Sequence, residues 1–561
     1  MKTILPVVAL LLAAGVGRAQ LTVDQREFDF RALASHYVKH YAPYEWKRDV
    51  FGFDLMDLRP WLERVRGAKD DLEFYEICSL YVTALQDTHS SFSVPSRFVA
   101  SLPLHLDIYD GKVVVDALSR LLSPADNYPF EIGDEVVAID GVPAEAMLQR
   151  LMRHVSAGNP RSRLRRAAQW LAVRPQSILP RAHEIGAEAE LAIRRRGASL
   201  VESYKIPWTK SGTPVVKAGP LPSPRFTIAH SGFSGADLPE LPEYLRPLAE
   251  LYNEKVTLGP AEVLGYGALN PVYARPAGFQ QRLGLNPATD FFVSGTYAAG
   301  GYRIGLIRIP HFSPPNTAAA LRQFESEIAY MEANTDGLIV DVTRNNGGET
   351  CYGEELQRRL IPYPFRAMGR EIRVTTRWVN QFTIALELGR LADAPEHVIR
   401  MLESNLASIL KTYSENRGRT GPMPLCTETL DRQPARIAYT KTLMVLIDEF
   451  STSAADAFPA VLQDAQRAVL FGMRSNGAGG TVGSLPTGVY SESLASHTAA
   501  MHHRKAPIVT SEYPTANYVE NIGVRPDIYY DYMTVENLLS GGRRFTDAFT
   551  AAMVEDIRKN R

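Results

Sequence analysis

Residues 442–482, TLMVLIDEFSTSAADAFPAVLQDAQRAVLFGMRSNGAGGTV, decide how the chain is read. The apolar run Leu443 to Ile447 breaks at Asp448-Glu449-Phe450, crosses a short polar turn and re-enters an apolar pattern at Ala454, Ala457, Phe458, Val461 and Leu462. A buried run followed by helical spacing predicts strand, turn and helix. Ser453 then stands on the first turn of that helix, where unpaired N–H groups and the positive end of the helix dipole gather. Those are the surroundings a nucleophile needs when an oxyanion develops beside it. Ser451, Thr452 and Ser453 equally suit a helix N-cap, because their hydroxyls accept hydrogen bonds from the first turn.

The rest of the chain bears on that choice. A length of 561 suggests roughly three or four domains. With 45% hydrophobic and 22% charged residues, the chain can bury a large core. Residues 1–19 read as a secretory signal: Lys2, an apolar run from Ile4 to Val16, then Gly17-Arg18-Ala19. That run is short for a bilayer span, and no later stretch is long and apolar enough to be one. The mature protein is therefore expected to be secreted or periplasmic, without a membrane anchor. Without Lys2 and Arg18, the 61 Lys and Arg fall to 59 against 62 Asp and Glu. That balance points to no nucleic-acid partner and no anionic membrane. Arg161, Arg163, Arg165 and Arg166 lie in a helix-like stretch and read as a solvated face. Cys78, Cys351 and Cys426 lack CxxC spacing, so no metal site is expected, no cofactor is implied, and at most one disulfide can form within the chain.

Taken in order, residues 20–98 look helical and end near LQDTHS, where His89 sits in a polar turn beside Asp87 and Ser90. From Leu102 the period becomes two: LPLHLDIYDGKVVVDAL reads as a hairpin around Asp110-Gly111. IGDEVVAIDG, a following helix and a late strand make residues 99–208 resemble a PDZ-like domain, which would take a peptide by strand addition. Residues 209–300 are rich in Pro and Gly and read as loop and turn, a covering or inhibitory segment. Residues 301–545 alternate strand and helix: GYRIGLIRIPHF, a helix from Thr317 to Ala333, and GLIVDVT, which carries too many apolar residues to be half exposed. That last strand runs into Arg344-Asn345-Asn346-Gly347-Gly348, a turn whose backbone N–H groups can approach a ligand closely. Residues 546–561 read as a tail. The fold class is α/β within a multidomain α+β chain.

GLIVDVTRNNGG and STSAADAFPAVLQDAQRAVLFG together resemble the strand-to-glycine turn and the nucleophile helix of the S41 family of serine peptidases. The resemblance implies a ClpP/crotonase-like α/β catalytic core and Ser453 as nucleophile. In one branch of that family a lysine follows the nucleophile in a Gly-Lys-Gly turn, but here the turn reads Gly477-Ala478-Gly479. LQDTHS and YVENIGVRPDI are similar instead to the tricorn-like branch, which uses histidine. That resemblance implies His89 as base and Glu520 as its carboxylate partner, with backbone N–H groups of Ala454 and of Gly347 or Gly348 facing the oxyanion. It also implies protein or peptide substrates, a homodimer, and cleavage within 209–300.

Two other classes compete. The same fold family contains ligand carriers that do no proteolysis, and the absent lysine is compatible with a catalytically inactive binding protein. An exported PDZ-type scaffold would bind peptides whether or not Ser453 is present. Ser408-Ile-Leu-Lys411 fits an SxxK motif, but Lys210-Ser211-Gly212 precedes it and no SDN occurs, so a penicillin-binding reading is set aside. His497, His502 and His503 have no ligand frame and read as loop residues.

Overall fold

The computed structural model describes residues 20–218 and 266–560. The expected signal segment and residues 219–265 of the expected covering segment lie outside the described residues.

The centre of the molecule is a seven-stranded sheet in the order Gln280–Leu283, Val293–Ala299, Tyr302–Arg308, Gly337–Asp341, Thr442–Ile447, Val469–Gly472, Ile528–Tyr529. From Tyr302–Arg308 onward its pairings are parallel, so each crossover carries a covering element over a face. Because side chains alternate between two covered faces, Leu338, Ile339 and Val340 are all apolar. Leu338 and Val340 face the helices Thr317–Asn334, Thr350–Arg358 and Ala454–Asp464, through Phe324, Ile328, Leu356, Phe458 and Val461. Ile339 faces the opposite layer, built on Phe545, Phe549 and Met553 of the helix Arg543–Lys559. Each such side chain contributes about 1.5–3 kcal/mol on burial.

Two boundaries differ from the sequence reading. The sheet takes in strands at 280–283 and 293–299, so the segment expected to be loop as far as residue 300 already belongs to the core at its C-terminal end. The expected tail at 546–561 is most of a helix with its apolar face on the sheet.

Residues 99–211 fold around their own core, with strands Leu104–Tyr109, Lys112–Leu118, Glu135–Ile139, Glu188–Arg194 and Val201–Pro207 in one sheet, covered by helices Ala144–Met152 and Pro160–Ala172. Its first hairpin turns at Asp110-Gly111, both at positive φ, as two-residue hairpin turns require. The N-terminal helices Val23–His40, Tyr44–Phe51, Arg59–Arg66 and Asp71–Thr83 pack around Phe30, Tyr37, Tyr75 and Tyr81. They are stitched to the core by a short strand, Ser91–Ser93, which pairs antiparallel with Leu494–Ile508, Ser91 opposite Ser496. His497, His502 and His503 therefore lie on a long strand and not in a loop. His497 is buried there, with its Nδ1 3.0 Å from His36 Nε2. Cys351 and Cys426 form a disulfide, and Cys78 is buried. No helix among the described residues is long and apolar enough to cross a membrane.

Candidate active site

The strand Thr442–Ile447 delivers the chain into a turn at 448–453 that is over-determined by hydrogen bonds. Ser451 Oγ donates to the Val342 carbonyl at 2.8 Å, and the Thr452 N–H donates to the Asn345 carbonyl at 2.9 Å. Ser453 emerges with φ 60° and ψ −113°, a conformation rare for a residue with a side chain. Strain of that kind costs on the order of 1–3 kcal/mol and persists only where the surroundings impose it. Asp456, one turn into the helix, imposes it. One carboxylate oxygen accepts the N–H groups of Ser453 at 2.8 Å and Ala478 at 3.0 Å, and the other accepts Gly477 N–H at 2.8 Å and the Ser475 hydroxyl. Burial pushes its carboxyl up to about 6 against those four donors. The pattern Ser453-x-x-Asp456 is a helix-start signature that sequence reading could have used. Ala478, in the place where a lysine would stand, is fully buried and occupied in holding this turn.

The glycine turn lies against Ser453. A Cβ on Gly347, which has φ +88°, would lie 2.8 Å from Ser453 Cβ and 2.6 Å from the Thr452 carbonyl oxygen. The Gly347 N–H itself donates to Asn345 Oδ1 at 2.8 Å. Among the described residues, the N–H groups of Gly348 and Ala454 have no acceptor. Of the three backbone donors expected from the sequence, Gly347 is therefore engaged and the other two are not.

His89 reaches this place by way of the N-terminal helices. After the helix Asp71–Thr83 the chain turns through Gln86, and Asp87 caps the turn, accepting the His89 N–H at 2.8 Å, Ser90 Oγ at 2.9 Å and Thr498 Oγ1 at 2.7 Å. Thr88 Oγ1 donates to Asn476 Oδ1 at 2.5 Å, and the Asn476 N–H donates to the Ser451 carbonyl at 3.0 Å. The turn of His89 and the turn of Ser453 are thus two hydrogen bonds apart. The His89 ring is buried, and its Nδ1 has no hydrogen-bond partner among the described residues. Burial pushes the imidazole down to about 4, against the pull of the Asp87 carboxylate, so the ring is neutral near pH 7.

Glu520 is fully buried, and its two oxygens are taken. Oε1 pairs with Lys47 Nζ at 2.5 Å, and Oε2 accepts the Gly479 N–H at 3.1 Å. Burial and the neighbouring Asp87 push its carboxyl up to about 8, against Lys47 and the Gly479 N–H. The structure therefore brings the turns of Ser453, His89 and Glu520 to one junction, with no hydrogen bond from the His89 ring to either partner among the described residues.

Sequence reading missed two further contributors. Lys47 sits in YEWKRD with nothing local to mark it as buried. The arginine cluster read as a solvated face does the reverse. Arg165, 1% exposed, pairs with Asp107 at 2.6 Å and Glu449 at 2.9 Å and stacks 4.6 Å over Phe450, while Arg161 joins Glu449 at 2.8 Å. The helix Pro160–Ala172 thereby anchors the residues just before Ser453. Among the described residues no group of three or more His, Cys, Asp or Glu is arranged to hold a metal ion.

With this geometry in hand, the likenesses to known proteins are informative. Residues 303–530 match the model of peptidase family S41, and residues 99–215 match that of a PDZ domain. A Chlamydia pneumoniae protein is 25% identical, the match covering 94% of this chain and 89% of that protein. A Chlamydia trachomatis serovar D protein is 24% identical, covering 87% and 85%. The crystal structure of mature CPAF, the chlamydial protease-like activity factor, superposes with a TM-score of 0.74 at 21% identity, covering 96% of this chain and 98% of that one. CPAF complexed with lactacystin gives 0.73 at 20%, covering 96% and 99%. At that identity the likeness to these structures is one of fold.

Proposed function

The chain carries a family S41 peptidase domain and is a serine-type peptidase, and from that premise we propose that it is an exported endopeptidase with Ser453 as nucleophile, His89 as general base and Glu520 as the carboxylate supporting that base. The observation that carries this reading is the convergence at Ser453. A strained serine at a helix N-terminus lies beside two unengaged backbone N–H groups and is joined to a buried, neutral histidine's turn through Thr88 and Asn476.

In this reading His89 accepts the Ser453 hydroxyl proton as the oxygen attacks the scissile carbonyl carbon. The N–H groups of Ala454 and Gly348 meet the oxyanion. Collapse expels the amine, which takes the proton from His89, and water then enters by the same route to release the acyl group. Glu520 in its ionised form offsets the imidazolium charge that forms in each half. The buried Nδ1 without a partner is the atom such a carboxylate would serve once substrate tightens the site. A ligand carrier has no use for two unengaged N–H groups beside a strained serine. The proposal extends to a homodimer and to activating cleavage within 209–300, which sedimentation and N-terminal sequencing of the mature protein check.

The test compares hydrolysis of an unstructured substrate such as casein by the mature protein and by Ser453→Ala, His89→Ala and Glu520→Ala, each shown to be folded. Wild type should cut, the first two variants should lose at least about a thousandfold, and the third should be impaired. A Ser453→Ala variant that still cuts at the wild-type rate would sink the assignment.

A further inference from the structure

Lys47 is a lysine with no solvent exposure, on the short helix Tyr44–Phe51 of the N-terminal region. Its ammonium has three protons and three acceptors: Glu520 Oε1 at 2.5 Å, Asn521 Oδ1 at 2.5 Å and the Gln86 carbonyl at 3.2 Å. Those acceptors belong to two separate turns. Gln86 opens the turn that carries His89, and Glu520-Asn521 form the turn that carries the carboxylate. Trp46 Nε1, from the neighbouring position, also donates to Asn521 Oδ1 at 3.0 Å. A buried cation is tolerated only where its charge is answered, and a methionine would fill this volume without that requirement.

We propose that Lys47 is a positioning residue for the catalytic group, favouring the charged form of the Glu520 carboxylate and clamping the turn of the general base to the turn of its carboxylate. The inference rests on the Ser453, His89, Glu520 reading above. The charged and titratable groups around the clamp are few. Asp87, Tyr41 and Lys47 face Glu520; Lys47, His89, Tyr37 and Tyr41 face Asp87; His502, with Arg370 behind it, faces His89. Two buried carboxylates thus share one ammonium. Asp87 has three further donors, from the His89 N–H and the hydroxyls of Ser90 and Thr498, whereas Glu520 has one, the Gly479 N–H. Removing Lys47 therefore falls hardest on Glu520, which would keep its proton to higher pH and could no longer offset the imidazolium.

The experiment measures kcat and KM from pH 6 to 10 for wild type, Lys47→Met, Glu520→Gln and the double variant, each checked for native circular dichroism. Lys47→Met should lose about tenfold or more in kcat at pH 7 with little change in KM, and its acid limb should move up by about one unit or more. Because Lys47→Met leaves a carboxyl buried without its cation and can fail to fold, the double variant, which removes both charges, carries the test independently. If Lys47 acts through Glu520, adding Lys47→Met to Glu520→Gln lowers kcat by no more than about threefold. A further loss of about tenfold in the double variant, or a Lys47→Met limb that coincides with wild type, overturns the proposal while leaving the triad reading standing. If Glu520→Gln matches wild type in rate and limb, the carboxylate's assignment fails and Lys47 falls with it.

Discussion

Gly347→Ala probes the packing of the glycine turn against Ser453. The new methyl would lie 2.8 Å from Ser453 Cβ and 2.6 Å from the Thr452 carbonyl oxygen, at a φ of +88°. Carbon contacts settle near 3.5–4.0 Å, so either the glycine turn or Ser453 must move by about 1 Å. A displacement of that size at a reacting centre costs on the order of a hundredfold, and losing the donor that follows at Gly348 costs as much again. The backbone strain adds about 1–2 kcal/mol of instability. Gly301 supplies the matched control, because it has φ +86° with nothing within 4 Å of an added Cβ. Urea denaturation should show Gly301→Ala destabilised by the backbone strain alone and Gly347→Ala by that strain plus the clash, while initial rates on a fluorogenic peptide fall about a hundredfold or more for Gly347→Ala and remain near wild type for Gly301→Ala. A Gly347→Ala enzyme within threefold of wild-type kcat would refute the proposed role of Ser453 beside this turn.

Other outcomes follow from the same contacts. Asp456→Asn replaces an oxygen that accepts two N–H or O–H groups by an amide donor, so it should cost about 3 kcal/mol in urea denaturation and remove most activity. His89 is held near 4 and Glu520 near 8, so the pair with neutral imidazole and charged carboxylate accumulates as pH rises through about 8; kcat/KM should climb between pH 7 and 9. His36, His89 and His154 are held at about 3, 4 and 4, below the unfolded value. Each depressed value adds stability that is present above about pH 6.5 and is lost as pH falls toward 4, by up to about 1.4 kcal/mol per unit for each histidine, which a pH series of urea midpoints measures. Cys351 and Cys426 close a loop with a sequence separation of 75, so Cys351→Ser/Cys426→Ser should lose up to about 4.5 kcal/mol, read as a lowered urea midpoint. Arg165→Met leaves Asp107 and Glu449 without their shared partner and should cost about 3–5 kcal/mol by the same measurement.

What could be read in the sequence was what local chemistry determines. GLIVDVT announced a strand covered on both faces because Leu338, Ile339 and Val340 put apolar side chains on both of them, and Asp110-Gly111 announced a hairpin because few other pairs tolerate that turn. The strand, turn and helix around Ser453 were legible for the same reason. Arg165 was misread because an arginine-rich helix resembles a solvated face until Asp107 and Glu449 arrive from elsewhere. Lys47 was invisible because its partner lies 473 positions away. The strands at 280–299 were hidden by surrounding prolines and glycines, and they earn their place by pairing with the apolar strand Tyr302–Arg308 and not by their own composition.

The strand Leu494–Ile508 receives Ser91–Ser93 across about four hundred residues, and that pairing orders events in time. A ribosome delivers the histidine turn early and the strand that must hold it late, with the Glu520 turn later still. The Ser453 turn can form on its own sheet in between, but the strand Ser91–Ser93 has no partner until the chain is nearly complete. Closing so long a loop adds little to the thermodynamic cost, which grows only logarithmically, yet such distant contacts form slowly. A chain that stops between Ser453 and Leu494 would carry the serine and lack the strand that holds the histidine turn, so such an unfinished copy would be without the means to cut.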